Sequence, residues 1–96
     1  MPKKGYWVVR ARISNSDNFS KYLELATKII GKFNGTFLIR GGAQDEFEET
    51  GFERTVVVEF ESHKDAIECY KSECYQLALE HVKDSATRYV SIVEGV

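Results

Sequence analysis

The chain has 96 residues, of which 43% are hydrophobic and 29% charged, with one Pro and seven Gly. This length and balance suit one domain spanning residues 1–96, and they exclude two separate cores, wholesale disorder and fibrous repeats. Thirteen Lys and Arg against fifteen Asp and Glu give a net charge of −2, so no basic excess exists to bind nucleic acid through its phosphates.

No apolar run approaches the roughly 18 residues that a membrane-spanning helix needs. Met1-Pro2-Lys3-Lys4-Gly5 leads at once into strand-like residues, without a signal-peptide core. The expectation is a cytoplasmic protein with no membrane and no nucleic-acid partner.

Tyr6 to Ile13 alternates as a strand, with Trp7, Val9, Ala11 and Ile13 on one parity and Tyr6, Val8, Arg10 and Arg12 on the other. Ser14-Asn15-Ser16-Asp17 breaks it and offers helix-capping oxygens, Asp17 being the favoured cap. From Asn18 to about Asn34, Phe19, Tyr22, Leu23, Ala26, Ile29, Ile30 and Phe33 recur at spacings of three and four, predicting an amphipathic helix. Asn34-Gly35 suits its left-handed stop.

Thr36 to Arg40 is a short second strand ended by Gly41-Gly42. Asp45, Glu46, Glu48, Glu49 and Glu53 then crowd together and repel, which predicts a solvated hairpin loop. Their spacing matches no calcium-binding loop. Arg54 to Phe60 is the third strand. Ser62 caps a second helix carrying Ala66, Ile67 and Tyr70 inward. At Ser72 the pattern restarts with Tyr75, Ala78, Leu79 and Val82, predicting a bend with Ser72 as a new cap. Arg88 to Glu94 closes the chain as a fourth strand.

The order βαββαβ predicts an α+β, ferredoxin-like domain: a four-stranded antiparallel sheet with its helices on one face, strands one and three central. Ile39, Phe37, Val56, Val58, Val90 and Ile92 then join Trp7 and Val9 beneath the helices. The opposite parity holds Tyr6, Val8, Arg10, Leu38, Arg40, Val57, Glu59, Tyr89 and Val93. So apolar a bare face predicts an interface, most economically a homodimer formed sheet to sheet.

A charged Arg on that face needs an anionic partner. Arg10 or Arg12 can pair with Glu59 on the neighbouring strand. Arg40, just before Gly41-Gly42, is left either to receive a ligand carboxylate or phosphate through its bidentate fork or to stand in solvent. Tyr6 and Tyr89 line the same side. Tyr22, Tyr70 and Tyr75 fall on helical core stripes, so they either pack with a hydroxyl bonded or gather with Arg40 around a cavity. His63 and His81 read as solvated or capping residues, with His81 the better candidate for a proton-transfer role beside its apolar stripe. Cys69 and Cys74 lack the companions a structural metal site needs and are expected to pack as small apolar groups. No phosphate-binding glycine loop and no serine-nucleophile motif is present.

Gly5-Tyr6-Trp7, the helix with Tyr22, Gly35-Thr36-Phe37-Leu38-Ile39-Arg40-Gly41-Gly42, Arg54 to Phe60, and Tyr70-Lys71-Ser72 with Tyr75 together carry a family likeness. The chain resembles the uncharacterised bacterial domain-of-unknown-function family thirteen-thirty, within the dimeric α/β-barrel superfamily. The resemblance implies a ferredoxin-like protomer and a dimer whose sheets build a barrel. Relatives in that superfamily include cofactor-independent monooxygenases, isomerising enzymes and ligand sensors. Two functions follow as expectations. One is an enzyme without cofactor or metal, acting on a small organic acid or aromatic compound in a sheet-lined cavity. In it Arg40 and Arg10, with Tyr6 and Tyr89, hold the ligand, and His81, Tyr22 or Tyr70 moves protons. The other is a non-catalytic dimeric module for metabolite binding or assembly.

Overall fold

Strand β1 (Gly5–Ile13) leads through helix α1 (Ser16–Lys32) to β2 (Thr36–Arg40) and β3 (Arg54–Phe60). Helix α2 (His63–Lys71) and helix α3 (Glu73–Ala78) follow, then a 3-10 turn (Leu79–His81) and β4 (Ala86–Glu94). The computed structural model describes residues 3–96. All strand pairings are antiparallel, in the order β2-β3-β1-β4. This is the ferredoxin-like α+β arrangement read from the sequence, with β1 and β3 central.

Local chemistry accounts for the boundaries. Helix α1 starts at Ser16, earlier than the Asn18 expected, and its cap is Asn15, not Asp17. Asn15 is extended (φ −142°, ψ 97°) and its side chain accepts the Asn18 N–H at 3.2 Å, leaving Asp17 in the first turn where its charge favours the helix dipole. Asn34 (φ 61°) takes the left-handed position beyond the helix, and Gly35 N–H bonds Ile30 O at 2.9 Å. Ser62 caps α2 through the Asp65 N–H, and Ser72 both ends α2 and caps α3 through the Tyr75 N–H. The bend at Ser72 is thus as read from the sequence. It turns Tyr75 into the core.

That core lies between the helices and one sheet face. Trp7, Val58, Phe60, Ala66, Cys69 and Tyr75 are all at most 2% exposed. Removing large apolar side chains from water in this way is worth ~1.5–3 kcal/mol each. Trp7 donates Nε1–H to Ala66 O at 2.9 Å, so the indole is satisfied while buried. Cys69 packs as a small apolar group, and burial, then the nearby Cys74 thiol, pushes its pKa up to about 12. Cys74 differs from expectation: it is exposed, because it occupies the outer side of the first turn of α3.

Three further differences concern the sheet. Strand β4 begins at Ala86, so Arg88 is an interior strand residue. Strand β2 carries a bulge: Phe37 opposes Val58, but Ile39 opposes Val57 and Arg40 opposes Val56. The extra residue shifts the parity. Ile39 turns out to the bare face, and Arg40 turns in beneath the helices, the reverse of strict alternation. The acidic loop is the third. Its Phe52 packs on Tyr89 with ring centroids 4.8 Å apart, beneath the guanidinium groups of Arg10 and Arg12 at 5.5 and 5.0 Å. Gln44 bridges Phe52 O and the Thr55 hydroxyl, and Glu53 accepts the Ile13 N–H. The loop is therefore pinned to one end of the bare face. Among the described residues no helix is long and apolar enough to cross a membrane.

Candidate functional site

Three arginines end up on the helix-covered side of the sheet. Ala11 on β1 lies between Arg54 on β3 and Arg88 on β4, and its small side chain leaves open the space those two long side chains flank. Arg40 joins them from β2 because of the bulge. Helix α1 roofs the space with Tyr22, Leu23, Ala26 and Thr27. The result is a cavity of about 30 Å³, walled mainly by apolar groups and edged by Arg40, Arg54 and Arg88.

At one wall Tyr22 and Tyr75 meet hydroxyl to hydroxyl at 2.6 Å. Arg88 donates Nη1–H to the Tyr22 oxygen at 3.0 Å and Nη2–H to the Tyr75 oxygen at 3.3 Å, while its Cζ lies 5.1 Å from the Tyr22 ring centroid. Burial opposes the charge on Arg88, but the two phenol oxygens outweigh it and raise the Arg88 pKa. Burial, then the neighbouring Tyr22, holds the Tyr75 phenol well above its ordinary value. Tyr75 therefore stays protonated, and either hydroxyl can donate to the other. The Tyr22 oxygen thus has both Arg88 and Tyr75 as partners at the edge of the cavity that it lines.

At the opposite wall Arg40 donates to the Thr27 hydroxyl at 2.6 Å, with its guanidinium 4.5 Å above the Phe37 ring. Arg54 is half-buried. Burial, then the Arg40 charge, lowers its pKa, and its Nε is buried without a partner among the described residues.

The residues singled out from the sequence divide between two faces. Tyr22 and Arg40 line the cavity together. Tyr70 packs edge-on against Trp7 and 5.2 Å from the Tyr75 ring, facing a separate open cleft by α3 and β4. Tyr6, Arg10 and Tyr89 lie on the bare face, the sheet separating them from the cavity. There Tyr6 donates to Glu59 at 2.8 Å, which takes the place of the expected Arg–Glu59 pair and raises the Tyr6 pKa. Arg10 instead reaches Glu46 at 3.6 Å, because the pinned loop delivers that carboxylate. His81 sits in the 3-10 turn, where its carbonyl accepts the Ser85 hydroxyl. Arg54 and Arg88 were missed. The signal was there: each shares the parity of the core residues two positions further along its strand, Val56 and Val90. Among the described residues no three His, Cys, Asp or Glu side chains gather as a metal site.

The backbone resembles several solved structures at low sequence identity, a likeness of fold alone. A protein of unknown function from Rhodopseudomonas palustris superposes with TM-score 0.81 at 9% identity, covering 100% of this chain and 85% of that one. SnoaB, a cofactor-independent oxygenase from Streptomyces nogalater, gives 0.63 at 8% identity, covering 98% and 94%. A dimeric ferredoxin-like protein of unknown function from Thermobifida fusca gives 0.57 at 11%, covering 99% and 93%. Among curated proteins none matches the sequence significantly. One family model does match, over residues 4–96, and it is described as a domain of unknown function, DUF1330. Its span takes in both walls of the cavity, from Tyr22 to Arg88, and the chain belongs to the DUF1330 family.

Proposed function

We propose that the protein is a cytoplasmic homodimer that takes a small organic acid or aromatic compound into the cavity beneath α1 and acts on it by proton transfer. The chemistry is of the cofactor-independent oxygenase or isomerase kind. The observation that carries this reading is the Tyr22–Tyr75–Arg88 cluster. The Tyr22 oxygen lies against the Arg88 guanidinium and the Tyr75 hydroxyl, so Tyr22 can hand its proton to a bound substrate and recover it while Arg88 holds the oxygen. Exclusion of water by Trp7, Phe19 and Ile30 strengthens those bonds. The backbone likeness to SnoaB favours the oxygenase variant over the isomerase one.

The dimer rests on the bare face. Val8, Leu38, Ile39, Tyr89 and Val93 there are 40–64% exposed, an apolar surface of the kind that a second sheet covers. Tyr6, Arg10 and Tyr89 contribute to that interface in this reading, and Arg40 contributes to the ligand site.

The deciding experiment incubates the protein in air, without added cofactor, with phenols and aromatic carboxylic acids, following oxygen uptake and product mass. Turnover that Tyr22→Phe abolishes while the variant stays folded is the expected result. Turnover unchanged in Tyr22→Phe overturns the catalytic role. Binding without turnover in the parent protein favours the non-catalytic binding module instead.

A further inference from the structure

We propose that Arg54 and Arg40 together form a receptor for the carboxylate of an organic acid, with Gly41 leaving room for the Arg54 guanidinium. The proposal rests on the cavity being a ligand site and names the group its ligand must carry.

Arg54 stands opposite Ala11 with the parity of Val56 and Val58, so it enters the cavity from the sheet. Its Nε is buried and has no hydrogen-bond partner among the described residues. The ion pairs among the described residues are Lys4–Glu61, Arg10–Glu46, Lys64–Glu68 and Lys83–Glu80, none of which reaches the cavity. A guanidinium cannot shed its proton. Arg40 and Arg54 are close enough for each charge to oppose the other, and both face one small apolar space. An unpaired buried donor on a guanidinium that faces one like charge is costly, and a bound anion removes both penalties at once.

The backbone beside Arg54 leaves the guanidinium room. A Cβ on Gly41 would come within 2.5 Å of Arg54 Nη1 and 3.3 Å of its Cζ, and Gly41 has φ +72°. The guanidinium occupies the volume that any side chain at position 41 would need. Gly41 N–H is fixed to Thr55 O at 2.9 Å, so the strand end holds its place beside Arg54.

A carboxylate fits better than a phosphate. Its two oxygens match one planar fork, and the rest of an organic acid can lie against Phe19, Ile30 and Val56, which would give nothing to the remaining phosphate oxygens. The free volume, about 30 Å³, holds only a water or two. Entry of the acid therefore requires side chains at the cavity edge to move, the exposed Arg40 first, whose bond to Thr27 has to break.

The test is an NMR titration of the isotope-labelled protein with benzoate, phenylacetate and hexanoate, reading backbone amides and arginine Nε–H resonances. Saturable binding of at least one acid is expected, with the Arg54 Nε–H among the largest shifts and no response to benzyl alcohol. Arg54→Gln should weaken that acid at least about tenfold, whereas Tyr22→Phe should change it less than about threefold. Arg54→Met should melt higher than the parent without ligand and gain nothing from the acid. No binding of any of the three acids at about 10 mM overturns the proposal. So does an unmoved Arg54 resonance in the parent, which needs no variant to fold, or inorganic phosphate binding as tightly as the acids. Loss of acid in Arg54→Gln alongside turnover that ignores Tyr22 would leave the receptor standing and remove the catalytic reading. Tyr22-dependent turnover with full acid binding by Arg54→Gln would remove the receptor alone.

Discussion

Tyr22 and Tyr75, 53 positions apart in sequence, share a hydrogen bond of 2.6 Å inside the core, and Arg88 donates to both oxygens. Two helices and an edge strand are tied together at that point. Each phenol supplies apolar area to the core and a polar end that only the other phenol and Arg88 satisfy.

Tyr75→Phe should therefore cost about 1 kcal/mol, seen as a fall of roughly 4–8 °C in Tm. Tyr22→Phe should cost a similar amount. The double variant should cost less than the two together by about 0.5 kcal/mol or more, because the shared bond is lost only once. Strict additivity in thermal or urea denaturation would show that the bond contributes nothing.

Alkaline stability follows from Cys69 and Tyr75. Both pKa values are raised on folding, so both groups hold their protons more tightly in the native state. Stability is fully present below the unfolded values and falls as pH rises past them. The Cys69 contribution declines from pH 9.0 towards about 12, at up to ~1.4 kcal/mol per pH unit. Tyr75 adds to the decline above pH 10.0. Cys69→Ala should flatten the first part of the curve in urea melts taken from pH 8 upward, and an unchanged slope would contradict the assignment.

Val57→Asp places a charge in the middle of the bare face, opposite Val8 on β1 and Ile39 on β2. Sedimentation should show the parent at twice the 11.0 kDa chain mass and the variant at the single mass, with unchanged circular dichroism. A variant that remains dimeric would move the interface elsewhere.

Gly5→Ala should be among the most damaging single changes. The added Cβ would lie 2.5 Å from Ser62 O and 2.6 Å from His63 Cα and N, all backbone atoms at the start of α2. A loss of about 2–4 kcal/mol is expected, and a denaturation midpoint within error of the parent would show that the close approach is not rigid. Gly31→Ala, with open space around it and a helical backbone, should instead stabilise by up to about 1 kcal/mol.

The sequence by itself determined the element order, the amphipathic face of α1, the bend at Ser72 and the two central strands. Most rest on local chemistry: spacings of three and four, a serine that can cap, the alternation in β1 and the β-branched run in β3, while the central pair follows from the right-handed crossovers that this order requires. It also placed Tyr22 and Tyr75 on inward stripes. Which face Arg40 would occupy was decided only by tertiary structure. One extra residue in β2 reverses every side chain beyond it, and no local signal distinguishes Leu38 as the inserted one. The pairing of Arg10 with Glu46 instead of Glu59 likewise depended on where a long acidic loop folded. Arg54 and Arg88 became neighbours of one space only when β3 and β4 took their register on either side of Ala11, since pairing across strands is set by the whole sheet and not by either segment alone.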